Sequence, residues 1–268
     1  MSLVVTGETA VTRRIRTSFK LAIGALMVLT SLLSAEAWAY ESKPVKDGAT
    51  VRGSVTVTGT VPAPKEFDLR RYPDHEFCST LSDGRGYRRL REVTFRPDGS
   101  LQDVVVAVQG VEHGKPFPFT EAEVEADLCR FLPFVTVIND TRQVTVSNRD
   151  PVPHDIQGLA SDQTGGGMAF YRPSLEASGT TELVNLGKGQ QVFTMHCSLH
   201  PYMQSWGYAV DNPYFAVTDA TGSFSIEDLP PGTYRLKAWH PILGTQEQEL
   251  TVTANETVLL ELSFNANF

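Results

Sequence analysis

Phe193-Thr194-Met195-His196-Cys197-Ser198-Leu199-His200-Pro201-Tyr202-Met203 is the stretch on which the reading of this chain turns. A strand-like run ends in a cysteine, a histidine follows three residues later, and a methionine three after that. One short loop thus delivers a thiol, an imidazole and a thioether. Side chains of a strand alternate between faces. Phe193, Met195 and Cys197 therefore point one way, and Val192, Thr194 and His196 the other, which sets His196 aside as a partner of Cys197. A second histidine, His154, ends another strand-like run upstream.

Taken singly, these residues have ordinary explanations: a cysteine is most often a small buried hydrophobe, and an isolated methionine or histidine usually packs or faces water. Taken together, Cys197, His200, Met203 and His154 form a copper ligand set. Thiolate and thioether suit Cu(I), imidazole suits both oxidation states, and two histidines, one cysteine and a weak axial methionine are the donors of a blue-copper electron-transfer site.

These residues resemble the cupredoxin family. The C-x-x-H-P-x-M loop from Cys197 to Met203 is similar to the short ligand loop of amicyanin-type proteins, and Val144-Thr145-Val146-Ser147-Asn148-Arg149-Asp150-Pro151-Val152-Pro153-His154 looks like the family's strand, turn and first histidine ligand. The resemblance covers roughly residues 129–210. It implies a Greek-key β-sandwich holding one type 1 copper ion, with His154, Cys197 and His200 in the trigonal plane and Met203 axial. The family also ties an asparagine after the first histidine to a Ser or Thr after the cysteine; Ser198 fits this, but Asp155 stands in the asparagine's place, a departure that counts against the tie and favours a lower reduction potential. The resemblance further implies an exposed His200 edge as the electron port.

Residues 1–39 read as an export signal: Arg13, Arg14, Arg16 and Lys20 precede the apolar stretch Leu21–Leu33, and Ala37-Trp38-Ala39 is a cleavage site. The apolar stretch is short for a membrane span of about 20 residues, so no span is expected once the signal is removed. The full chain carries a net charge of −8. Without the signal's four basic residues and its two acidic ones, Glu8 and Glu36, 19 basic and 29 acidic side chains remain, a charge of −10. Such a chain is a poor ligand for nucleic acid, whose phosphates need clustered Lys and Arg.

Short alternating runs separated by Gly, Pro, Asn and Asp indicate an all-β chain. Val51–Thr60 alternates, Leu101–Gln109 reads as a buried strand, Pro62–Arg89 as a long irregular excursion, and Glu121–Asp127 as an acidic helical turn. Cys78 and Cys129 are most economically used as a disulfide in an exported chain, leaving Cys197 free; a second metal site at His75 and Cys78 is the alternative. From Tyr214 onward the pattern changes. Thr218-Asp219-Ala220-Thr221-Gly222-Ser223-Phe224 and Leu229-Pro230-Pro231-Gly232-Thr233-Tyr234 resemble carboxypeptidase-regulatory-like, transthyretin-like β-sandwich modules. Such modules open with a strand whose nearest match is Val51-Arg52-Gly53-Ser54-Val55, far upstream. Either the two modules are interleaved or they stand in tandem. The expected divisions are 1–39, the signal; 40–125, an N-terminal β region, which contributes strands to the C-terminal sandwich if the modules are interleaved; 126–211, the copper domain; and 212–268, the carboxypeptidase-regulatory-like sandwich. His240 beside Trp239 reads as a packed strand-end histidine.

The expectation is an exported, periplasmic or secreted copper protein that carries single electrons to or from a redox protein such as a c-type cytochrome or a dehydrogenase. The alternatives are copper handling without electron transfer, and a non-catalytic module binding glycan or envelope protein. An enzyme is not expected: the chain has no His-x-His pairs for an oxygen-reducing copper cluster, only Cys197 in the loop where a binuclear site needs two cysteines, and no H-E-x-x-H.

Overall fold

The computed structural model describes residues 40–139, 141–162, 167–186 and 190–267. The expected export signal lies outside them. Among the described residues no helix is long and apolar enough to cross a membrane.

The fold is all-β, and the four larger sheets of the described residues form two pairs, each pair closing on its own core. In the first pair, Ala49–Thr58 lies between Ser223–Leu229, antiparallel, and Thr257–Asn265, parallel. Facing it, Val105–Gln109 lies between Phe215–Val217 and Gly232–His240, and Gly244–Val252 forms the outer strand. Strands from both sides of the intervening 110–214 segment therefore share these sheets. Gly53 is needed here, because a Cβ would sit 2.2 Å from the Leu260 carbonyl oxygen and 2.7 Å from the Phe224 ring.

The second pair holds the candidate site. One sheet has the order Gly167–Leu175, His154–Asp162, Gln190–Cys197, Gln204–Ala209, Val135–Ile138. The other has the order Thr180–Asn185, Gln143–Asn148, Ala122–Ala126, Phe131–Leu132. Val144, Val146, Phe193 and Met195 fill the space between them. Residues 121–127, expected as a helical turn, instead form the strand Ala122–Ala126 beside Gln143–Asn148. Ala122, Val124 and Ala126 face the core while the glutamates between them turn away. This is a period of two, and it overrides the helix preference of Ala and Glu.

A third core joins the two sandwiches. Val105 and Ala107 pack with Val135, Val137, Tyr208 and Trp239, while Val106 and Val108, on the other face of the same strand, belong to the first core. A strand buried on both faces reads as a continuous apolar run rather than an alternating one, which is why Val104–Val108 looked uniformly hydrophobic. The irregular excursion folds over the second sandwich. Lys65–Asp68 pairs with Tyr87–Leu90, and between them lie two 3-10 turns and the single short helix His75–Cys78. Leu69 and Cys78 are buried in the second sandwich's core, with Phe67, Tyr72 and Phe77 packed against it.

Candidate metal centre

Cys197 ends its strand with the parity expected: Phe193, Met195 and Cys197 are buried and His196 is exposed. The strand register sets Cys197 opposite Ile156, two residues from His154, so the two strand ends deliver thiol and imidazole to one place. Two backbone hydrogen bonds close the loop that follows. The Met203 N–H donates to the His200 carbonyl (2.8 Å), and the Cys197 N–H donates to the Met203 carbonyl (3.3 Å). The closed loop turns His200 back over the cysteine.

The polar atoms converge. Cys197 Sγ lies 3.6 Å from His200 Nδ1 and 3.9 Å from His154 Nδ1, and the two Nδ1 atoms are 3.1 Å apart. His154, His200 and Met203 are 0% exposed and Cys197 1%. The structure thus brings together the thiol and both imidazoles named from the sequence. Met203 is in the same buried core and shapes the loop through its backbone.

The outer nitrogens fix the tautomers. His154 Nε2 lies 2.8 Å from the Asp150 carboxylate, and His200 Nε2 lies 3.2 Å from the Pro73 carbonyl oxygen, with the Asp74 carboxylate 3.7 Å away. Carbonyl and ionised carboxylate oxygens only accept, so each Nε2 carries the hydrogen and each Nδ1 turns a lone pair inward. Two lone pairs and a sulfur then share a dry space in which the only proton is that of the Cys197 thiol. A bound cation satisfies all three at once, and the donor set therefore fits a thiophilic metal.

Asp150 is itself 1% exposed. Burial pushes its carboxyl pKa up, but hydrogen bonds from His154, Cys129 and Leu128 outweigh this and hold it below the ordinary carboxylate value. Leu128 and Cys129 have φ of 49° and 54°, unusual for non-glycine residues, and both N–H groups donate to the carboxylate, at 2.6 and 2.8 Å. Buried Asn148 fixes the turn from below. Its amide donates to the Val152, Leu175 and Glu176 carbonyls, and its oxygen accepts from the Asp150 N–H. Burial raises the Cys197 thiol pKa and, together with the nearby His154, lowers that of His200. Without a cation, burial therefore favours the neutral thiol of Cys197 and the neutral ring of His200.

The tie between residues 155 and 198 is present despite the aspartate, with Ser198 Oγ donating to Asp155 Oδ2 at 2.6 Å. Cys78 and Cys129 are disulfide-bonded (S–S 2.07 Å), and Cys197 is free. His75, the other half of the alternative site, is exposed. The exposed His200 edge implied by the resemblance is absent, because Pro73 and Asp74 from the excursion cover it. Asp150 was marked in the sequence only by its place in an Asn-Arg-Asp-Pro turn four residues before His154. Pro73 had no local mark at all, since it meets His200 across 127 residues. His240 packs as expected. It is fully buried, and its Nδ1 accepts from the Ile242 and Leu243 N–H groups at 3.1 and 3.3 Å.

Residues 209–265 match the family of carboxypeptidase regulatory-like domains. No curated protein matches the sequence. Solved structures similar to this chain include a novel purple cupredoxin from Nitrosopumilus maritimus, 23% identical over 34% of this chain and 100% of that one, with a TM-score of 0.27. Amicyanin from Paracoccus versutus is 16% identical over 39% and 97%, with a TM-score of 0.29. The copper-containing nitrite reductase NirK from Thermus scotoductus SA-01 is 22% identical over 36% of this chain and 24% of its own, with a TM-score of 0.29. Of the two β-sandwiches, one carries the cluster, and the segment similar to carboxypeptidase regulatory-like domains falls mainly in the other.

Proposed function

We propose that this is an exported, periplasmic or secreted, mononuclear type 1 copper protein that passes single electrons to or from a redox protein such as a c-type cytochrome or a dehydrogenase, without turning over a substrate of its own. One observation carries the proposal: two imidazoles with independently fixed tautomers and a free thiol aim three donors into one space from which water is excluded. Cys197, His154 and His200 would hold the ion, and Met203 would add a weaker thioether donor. The copper would supply one-electron chemistry between Cu(I) and Cu(II).

The remaining work falls to the chain. Asp150 keeps the proton on His154 Nε2 and Pro73 keeps that on His200 Nε2, so both rings are already oriented for the ion. Cys197 gives up its thiol proton on binding, and the Ile156, Phe193 and Met195 side chains in the same core keep the site dry. The disulfide supports an oxidising compartment.

The test is a visible absorption and electron paramagnetic resonance spectrum of the Cu(II)-loaded protein. An intense thiolate band with narrow hyperfine splitting is expected, and a colourless protein with an ordinary tetragonal spectrum would sink the proposal. Copper handling without electron transfer is the second reading, and the burial of His200 favours it. Slow electron self-exchange in a coloured, redox-reversible protein would decide for it.

A further inference from the structure

His200 is covered by a segment that belongs neither to the cysteine's strand nor to the ligand loop. Pro73 and Asp74 sit against His200 Nε2. Phe67 and Tyr72 lie edge-on to Tyr202 of the ligand loop, with ring centroids 5.9 and 5.6 Å away. The Cys78–Cys129 disulfide fastens this segment to the sandwich, and the Cys78 N–H donates to the Asp74 carbonyl (2.9 Å), so the bond acts directly on the residue facing His200.

Arg88 adds a second fastening beside the first. It is 8% exposed, and its guanidinium donates to the Leu81 and Cys78 carbonyls on the segment and to the Leu128 and Cys129 carbonyls on the sandwich. The same guanidinium lies over the Tyr202 ring, 4.8 Å from its centroid. Leu69 is the segment's one fully buried apolar side chain besides Cys78, and Phe67, Tyr72 and Phe77 are only partly buried, so apolar packing holds the segment at one point while the two fastenings hold it at several.

We propose that Lys65–Leu90 is a gate over the Cys197, His154 and His200 cluster, stapled shut by Cys78–Cys129 and Arg88, and that small reagents and metal cations reach the cluster only when this segment lifts. The proposal goes beyond the electron-transfer reading and does not depend on it, because the gate acts on the metal-free protein too.

The test uses metal-free full chain and follows iodoacetamide alkylation of Cys197, located by peptide mass. Cys197 should react slowly in the parent protein. In the Cys78→Ala/Cys129→Ala variant, shown to be folded by circular dichroism, the rate should rise at least about tenfold, as expected when a local opening becomes easier. Arg88→Lys with the disulfide intact should raise it as well, and this variant carries the test if the double variant does not fold. Parent-like rates in whichever folded variants are obtained overturn the gate. Failure to bind copper would leave these rates untouched, so the two proposals fail separately.

Discussion

Asp150 Oδ2 lies 2.8 Å from His154 Nε2, and the same carboxylate is clasped by the N–H groups of Leu128 and Cys129. The carboxylate therefore orients the imidazole and is itself held from the far side. Asp150→Asn keeps the shape but turns an amide N–H₂ toward groups that are all donors. Metal affinity should fall about 10–100-fold, with a loss of about 1–3 kcal/mol in stability from the unmatched buried groups. A chelator competition titration beside urea unfolding checks both. Unchanged affinity would mean that Asp150 is only a structural clasp.

The Cys78–Cys129 disulfide spans 51 residues. On the chain-entropy account, closing a loop of that length stabilises the fold by about 4 kcal/mol. The Cys78→Ala/Cys129→Ala variant should accordingly melt well below the parent, which thermal unfolding measures. A loss under about 1 kcal/mol would mean that the unfolded chain is held compact by other means.

What was legible in the sequence was local. The parity of Phe193, Met195 and Cys197 follows from the strand period alone, and the short Cys197–His200 spacing already brings thiol and imidazole to one loop. Glu121–Asp127 reads as a helical turn because Ala and Glu favour helix, whereas the parallel pairing with Gln143–Asn148 that makes it a strand is a contact made elsewhere in the chain. The covering of His200 by Pro73 was illegible for the same reason: a backbone carbonyl has no residue type, and the two residues are 127 positions apart. Asp150 sits between these cases, close in sequence to His154 but marked only as a turn.

Cys197→Ser separates site from fold. Cys197 ends its strand and contributes a small buried group, and serine fills nearly the same volume. The β-sheet circular dichroism should survive while the visible thiolate band of the copper-loaded protein disappears. A band that persists would mean that another group supplies it. Met203→Leu keeps the buried volume and should leave a coloured site with a raised reduction potential, because a weak donor to Cu(II) is removed. An unmoved potential, read by cyclic voltammetry, would confine Met203 to packing.

His240 ends a strand of the first sandwich, the one built around Ala49–Thr58, and makes it sensitive to acid. Burial lowers its pKa from 6.5 to about 4. The folded protein therefore holds the ring neutral where the unfolded chain would bind a proton. As pH falls from 6.5 toward 4, the unfolded state takes up the proton first, and stability falls by up to about 3 kcal/mol. Above 6.5 the ring is neutral in both states and contributes no slope. His240→Asn retains an acceptor for the Ile242 and Leu243 N–H groups but cannot titrate. The parent should lose more stability than this variant between pH 7 and pH 4.5 in urea unfolding, and equal losses would place the acid sensitivity in other groups.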